Sequence, residues 1–143
     1  LLDFAEKYQF NFPELLVFET GGMKGLRKEL VKEELHAILK TSFGVPAIHS
    51  EYGMCELLSQ AYSCGNNIFK TPPWMKLYLR DEKDPLFTSP DLTTGVINVI
   101  DLANVFSCAF IATDDLGRQN DSGMELLGRL DSAEVRGCNL LVM

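Results

Sequence analysis

The spacing of hydrophobic positions changes period along the chain. Residues 15–20, LLVFET, form an apolar run of strand length that follows FAEKYQFNF and Pro13 and is closed by Gly21-Gly22. From Lys28 to Phe43, Val31, Leu35, Ile38, Leu39 and Phe43 recur at helical spacing opposite Lys28, Glu29, Lys32, Glu33 and Lys40, and Gly44 supplies a stop. His36 lies beside that apolar face, as a boundary histidine does. VPAIHSEYG then reads as a short strand ending at Gly53, and Glu56 to Tyr62 has the composition of a helical turn. Strand, helix and strand in this order predict a βαβ-type sheet with a covering helix. In such sheets ligands bind at the carboxyl ends of the strands.

Beyond this the period shortens. WMKLYLRD at 74–81 and GVINVIDL at 95–102 alternate as strands do, around a polar, proline-containing loop. Shorter strands are predicted at about 106–113, 124–130 and 135–142, separated by DDLGRQNDSG and LDSAE, the spacing of antiparallel hairpins. The fold class is therefore α/β: an α/β part over about 1–65 with an attached antiparallel β-rich part over about 66–143. The seam is expected within 63–73, SCGNNIFKTPP.

Composition narrows the picture. The chain has 143 residues with a formal net charge of -7, enough for one hydrophobic core without disulfides or metals. The acidic balance argues against nucleic acid or an anionic membrane as the main partner, since both select clustered Lys and Arg. The apolar runs fall short of the roughly 20 residues of a membrane helix, so no membrane insertion is expected. The chain opens on Leu1 in sequence that already reads as structured, without a leader pattern, so a single fragment of a longer cytoplasmic protein is expected. Cys55, Cys64, Cys108 and Cys138 lack zinc-ligand spacing and read as free thiols.

Two short segments carry candidate chemistry. In His49-Ser50-Glu51-Tyr52-Gly53-Met54-Cys55-Glu56 a strand end presents an aromatic ring, a glycine and then a carboxylate, which suits a stacked base and a metal-bound phosphate. The same residues also suit a half-buried tyrosine followed by an acidic helix start. Thr113-Asp114-Asp115-Leu116-Gly117 reads by itself as an acidic turn between strands, and Gly128-Arg129-Leu130-Asp131 as a hairpin turn with a surface arginine.

Taken together, the segments resemble a known set. YGMCE at 52–56 resembles the YGxTE motif of the adenylate-forming enzymes, and Gly21-Gly22 in ETGGMKG stands where that superfamily has the glycine turn walling its adenine pocket. TGVINVIDL at 94–102, TDDLG at 113–117 and GRLD at 128–131 resemble its TGELVVT-like strand, its ribose-binding TGDLG segment and its GRxD hinge, in the same order. More narrowly, HSEYGM, ELLSQAYS, TPPWM, INVIDLANVFSCAFIATDDLGR and RGCNLLV resemble the LuxE family of acyl-protein synthetases over residues 17–142.

This resemblance implies ATP- and Mg²⁺-dependent activation of a fatty acid as acyl-adenylate, transfer of the acyl group to a cysteine of the synthetase, and delivery to an acyl reductase; a homo-oligomer is compatible with it. Carried over, Gly21 and Gly22 flank adenine, Tyr52 stacks on it beside Gly53 and Cys55, and Glu56 holds Mg²⁺ against the phosphates. Asp115 binds the ribose hydroxyls, with Asp114 as its competitor, and Arg129 contacts ribose or phosphate near the hinge at Asp131. Cys138, the cysteine nearest the C-terminus, is the implied acyl acceptor. A strand there would place Arg136 on its face, where a cation lowers a thiol's pKa, and a small buried apolar side chain is the equally good reading. Cys64 and Cys108 read as structural.

Three departures qualify the resemblance. Cys55 replaces the motif threonine, and a thiol is the poorer hydrogen-bond donor to an α-phosphate. The Ser/Thr/Gly-rich phosphate loop and the domain bearing the family's catalytic lysine are not in this sequence. An acyl-CoA ligase of the phenylacetate type, or a non-catalytic scaffold subunit, are the alternative readings.

Overall fold

A computed structural model describes residues 1–20 and 30–130. These residues fall into two compact units, one within residues 1–51 and one within residues 52–130.

In the first unit a short helix α1 (Leu2–Ala5) precedes strand β1 (Val17–Thr20), helix α2 (Lys32–Phe43) and strand β2 (Ile48–Tyr52). β1 and β2 pair in parallel, Val17 opposite Ile48 through Thr20 opposite Glu51, so this is the expected βαβ arrangement. The apolar stripe of α2 supplies Leu39 and Phe43, with Leu35 and Ile38 at its margin, to a core with Ala5, Val17, Val45 and Ile48. Gly44 ends the helix in the left-handed region, φ 64°, where its N–H donates to the Lys40 carbonyl. A Cβ there would meet the backbone of Phe10 and Asn11 at 2.9 Å, so glycine is required for conformation and for space. His36 is a satisfied boundary residue, with Nε2 3.4 Å from Glu19 Oε1, an oxygen that Lys32 also approaches at 3.3 Å.

The second unit is an antiparallel sheet of β3 (Ala61–Ser63), β4 (Ile68–Lys70), β5 (Met75–Arg80), β6 (Thr94–Asp101), β7 (Phe110–Asn120) and β8 (Gly123–Arg129). Their spatial order is β3, β4, β8, β7, β6, β5. Alternation along β5 and β6 places Met75, Leu77, Leu79, Ile97 and Val99 in one core with Tyr52, Leu57, Phe69 and Met124. A mixed α/β architecture with a β-rich part is thus what the chain forms.

Three local expectations change. Glu56 to Tyr62 is not helical: Leu57 N donates to the Met54 carbonyl at 3.1 Å, closing a turn with Cys55 and Glu56 at its apex, and the chain then enters β3. Residues 63–73, where composition places a seam, hold the β3–β4 hairpin connection and β4, and the division falls between Glu51 and Tyr52. DDLGRQN is not a separator either, because β7 starts at Phe110 and runs to Asn120. The strand predicted at 135–142 lies outside the described residues.

Candidate functional site

The acidic segment 113–115, which has the composition of a turn, forms a bulge in β7. On β7, Ala112 pairs with Asn98 and Leu116 with Val96, so Thr113, Asp114 and Asp115 together lie opposite the single residue Ile97 of β6. Bulges and turns draw on the same small polar residues, and a bulge re-aims the side chains it carries. Thr113 fixes this one: its hydroxyl donates to the Ile97 carbonyl at 2.7 Å and accepts the Asp115 N–H at 3.0 Å. Behind it the buried Arg80 of β5 donates to the Thr113 carbonyl at 2.7 Å and to Asn98 Oδ1 at 3.1 Å. After the bulge Gly117 packs closely, since a Cβ would lie 2.8 Å from both Ile97 Cδ1 and Met124 Sδ and those side chains would have to shift.

The bulge brings three of the sequence-selected residues together. The Tyr52 hydroxyl donates to Asp115 Oδ2 at 2.8 Å. Asp115 and Arg129 are register partners on β7 and β8. Arg129 Nε approaches Asp115 Oδ1 at 3.4 Å, and its Nη2 approaches Asp114 Oδ2 at the same distance. Asp114 is thus a member of the cluster through the arginine fork rather than a substitute for Asp115. Tyr52 is 8% exposed and its ring meets Phe69 edge-on, with centroids 6.3 Å apart and planes at 72°. What it presents to the site is therefore its hydroxyl more than a ring face. Burial, and then the neighbouring Asp115 carboxylate, push the Tyr52 phenol far above its ordinary range. It stays protonated and remains a donor to Asp115.

The remaining donors are open. A carboxylate has about four lone-pair positions and a guanidinium five N–H bonds, so the contacts above use only part of either capacity. The Asp115 and Arg129 side chains are 19% and 38% exposed, within reach of a polar ligand. Gly53, Cys55 and Glu56 are exposed on the turn that follows Tyr52. Among the described residues no three His, Cys, Asp or Glu side chains group to hold a metal by themselves. A lone Glu56 carboxylate still fits Mg²⁺, which keeps several waters and is commonly bound by one or two carboxylates with substrate phosphates. Cys55, Cys64 and Cys108 are all exposed free thiols, so the burial expected of structural cysteines does not hold for Cys64 and Cys108. Gly21, Gly22, Asp131 and Cys138 lie outside the described residues.

Sequence reasoning missed Thr113, Arg80, Asp101 and Asn104. Asp101 is fully buried at the end of β6 and Asn104 is 6% exposed. Their signal, the DLAN string, is visible in the sequence, but its partners are more than forty positions away.

No protein-family profile and no curated protein matches the chain. Solved structures do. The chain resembles apo MatB from Rhodopseudomonas palustris at 16% identity and a TM-score of 0.56, over 81% of this chain and 26% of that one. It resembles the McyG A-PCP structure complexed with phenylalanyl-adenylate at 16% identity and a TM-score of 0.57, over 89% of this chain and 27% of that one. For a benzoate CoA ligase from Burkholderia xenovorans LB400 the values are 18%, 0.51, 78% and 25%. The chain thus shares its fold with a part of each of these structures, and it spans about a quarter of their length. No described helix is long and apolar enough to cross a membrane.

Proposed function

We propose that this chain supplies the ribose- and metal-facing part of a nucleotide site in an adenylate-forming ligase that activates a fatty acid and passes the acyl group to a protein cysteine. The observation that carries the proposal is the Tyr52–Asp115–Arg129 network, built on a bulge. Its residues are the ones the motif resemblance selects, and one structure that shares the fold is complexed with phenylalanyl-adenylate.

The chemistry follows from the donor set. Asp115, with Tyr52 and Arg129 fixing its two oxygens, accepts hydrogen bonds from a vicinal diol without having to reorganise, the condition under which a polar group contributes most. Arg129 keeps N–H groups for a phosphate or ribose oxygen. Glu56 is exposed on the turn that follows Tyr52 and would hold Mg²⁺, which supplies charge neutralisation on the phosphates. The substrate carboxylate attacks the α-phosphorus and pyrophosphate leaves. A thiolate then attacks the acyl carbonyl, expels AMP and forms the thioester, the role assigned to Cys138. An acyl reductase is the proposed recipient.

A phenylacetate-type CoA ligase is the second reading, favoured by the benzoate CoA ligase among the structural neighbours. The two separate on the acceptor. Incubated with ATP, Mg²⁺ and a radiolabelled fatty acid, the full-length protein is expected to take up hydroxylamine-labile label that Cys138→Ser abolishes. Label appearing instead on free CoA, with none on the protein, selects the CoA ligase.

A further inference from the structure

The string DLAN at 101–104 has no role in the site as described, yet its side chains reach back to the loop that carries Glu56. Asp101 is fully buried. One of its oxygens accepts the N–H groups of Leu58 and Ser59 at 3.0 and 2.8 Å, and the other accepts the Ser59 hydroxyl at 2.7 Å and the Ala103 N–H at 3.1 Å. The Ser59 hydroxyl in turn accepts from Trp74 Nε1 at 2.9 Å. Asn104 completes the set: its Nδ2 donates to the Glu56 carbonyl at 2.7 Å and to the Cys108 carbonyl at 3.0 Å. Both of those partners are acceptors only, which fixes which end of the amide faces them.

The geometry points to Asp101 and Asn104 as positioning residues that hold the Cys55–Glu56 turn in the orientation needed to present the Glu56 carboxylate to a divalent cation on a nucleotide. The turn is tied at four places. Tyr52 enters the core ahead of it and Leu57, 5% exposed, anchors behind it. Asn104 fixes the Glu56 carbonyl, and Asp101 fixes the N–H groups of Leu58 and Ser59. Cys55 and Glu56 at the apex, and Leu58 behind them, are exposed on a backbone held on both sides. Fixing the peptide of the one exposed carboxylate is the arrangement by which outer partners orient a metal-binding group.

The inference rests on the nucleotide-site reading above, and the test separates the two. In the full-length protein, Mg²⁺ is titrated in fatty-acid-dependent ATP–pyrophosphate exchange for the wild type, Asn104→Asp, Ser59→Ala and the surface control Arg118→Ala. Asn104→Asp keeps the shape of the side chain and removes its donors. The Mg²⁺ concentration for half-maximal exchange is expected to rise about tenfold or more, with the fatty-acid KM unchanged, and Arg118→Ala is expected to match the wild type. Amide hydrogen exchange at residues 55–59 is expected to quicken in the same variant. Ser59→Ala, which removes one hydroxyl from the Asp101 set, gives a smaller rise and serves as the second variant if Asn104→Asp does not fold. Unchanged Mg²⁺ dependence alongside a lowered melting temperature overturns the positioning role and leaves the nucleotide reading standing. A wild type without exchange overturns that reading, and the positioning role with it.

Discussion

At the scale of single residues, the decisive contact is the 2.8 Å hydrogen bond from Tyr52 to Asp115. It joins a buried phenol to a partly exposed carboxylate and so carries energy as well as geometry. A hydrogen bond to a charged acceptor contributes roughly 1.5–3 kcal/mol, and Tyr52→Phe is expected to lower stability toward the bottom of that range because Asp115 can recover a water. The pH dependence is more diagnostic. Burial first, then the Asp115 charge, raise the folded pKa of Tyr52 well above that of the unfolded chain. Its contribution is therefore complete below about pH 10 and is lost as pH rises from there, at up to about 1.4 kcal/mol per pH unit for this one group. Chemical denaturation of wild type and Tyr52→Phe between pH 8 and 11 should show the two stabilities converging as pH rises; parallel profiles would mean that Tyr52 ionises freely. Asp101 has the opposite sign. Burial opposes its charge, but hydrogen bonds from Ser59, Leu58 and Ala103 outweigh that and hold its carboxyl below the usual range. Its contribution is present above about pH 4 and is lost as pH falls through the lowered value.

Among the elements, β7 is where local sequence and structure part company. The helix α2 is legible from its helical period, and the strands β1, β2, β5, β6 and β8 from short apolar-rich runs bounded by turn residues. β7 is not, because three residues opposite Ile97 interrupt its alternation, and Thr-Asp-Asp has the composition of a turn. The turn at Cys55–Glu56 was obscured differently: Glu56 to Tyr62 has helix-forming residues, and it is the distant Asp101 and Asn104 that hold the chain out of a helix. Tyr52, Asp115 and Arg129 could be singled out only through the motif resemblance. Their convergence depends on the bulge and on strand register, neither of which periodicity reveals. The bulge makes its own prediction. Gly117→Ala pushes a methyl group against Ile97 and Met124 at 2.8 Å, and such overpacking costs about 1–3 kcal/mol. Thermal melting should show the loss, and an unchanged melting temperature would mean that β7 can shift to make room.

For the molecule as a whole, the fold is shared with part of a benzoate CoA ligase and with part of a structure complexed with phenylalanyl-adenylate, so it is the site that must carry the functional claim. The described residues supply a braced carboxylate, an arginine with unused donors and an exposed glutamate on a tethered turn. These suit the ribose and phosphate side of a nucleotide. The fatty-acid and acyl-protein steps rest on the motif resemblance. The most direct measurement is fatty-acid-dependent ATP–pyrophosphate exchange by the full-length protein and its Asp115→Ala variant. Exchange in the wild type, with kcat/KM for ATP reduced at least about a hundredfold in the variant, a loss of about 2.7 kcal/mol of transition-state stabilisation, is the predicted result. Absence of exchange with fatty acids of every chain length, or equal exchange by wild type and variant, would contradict the account.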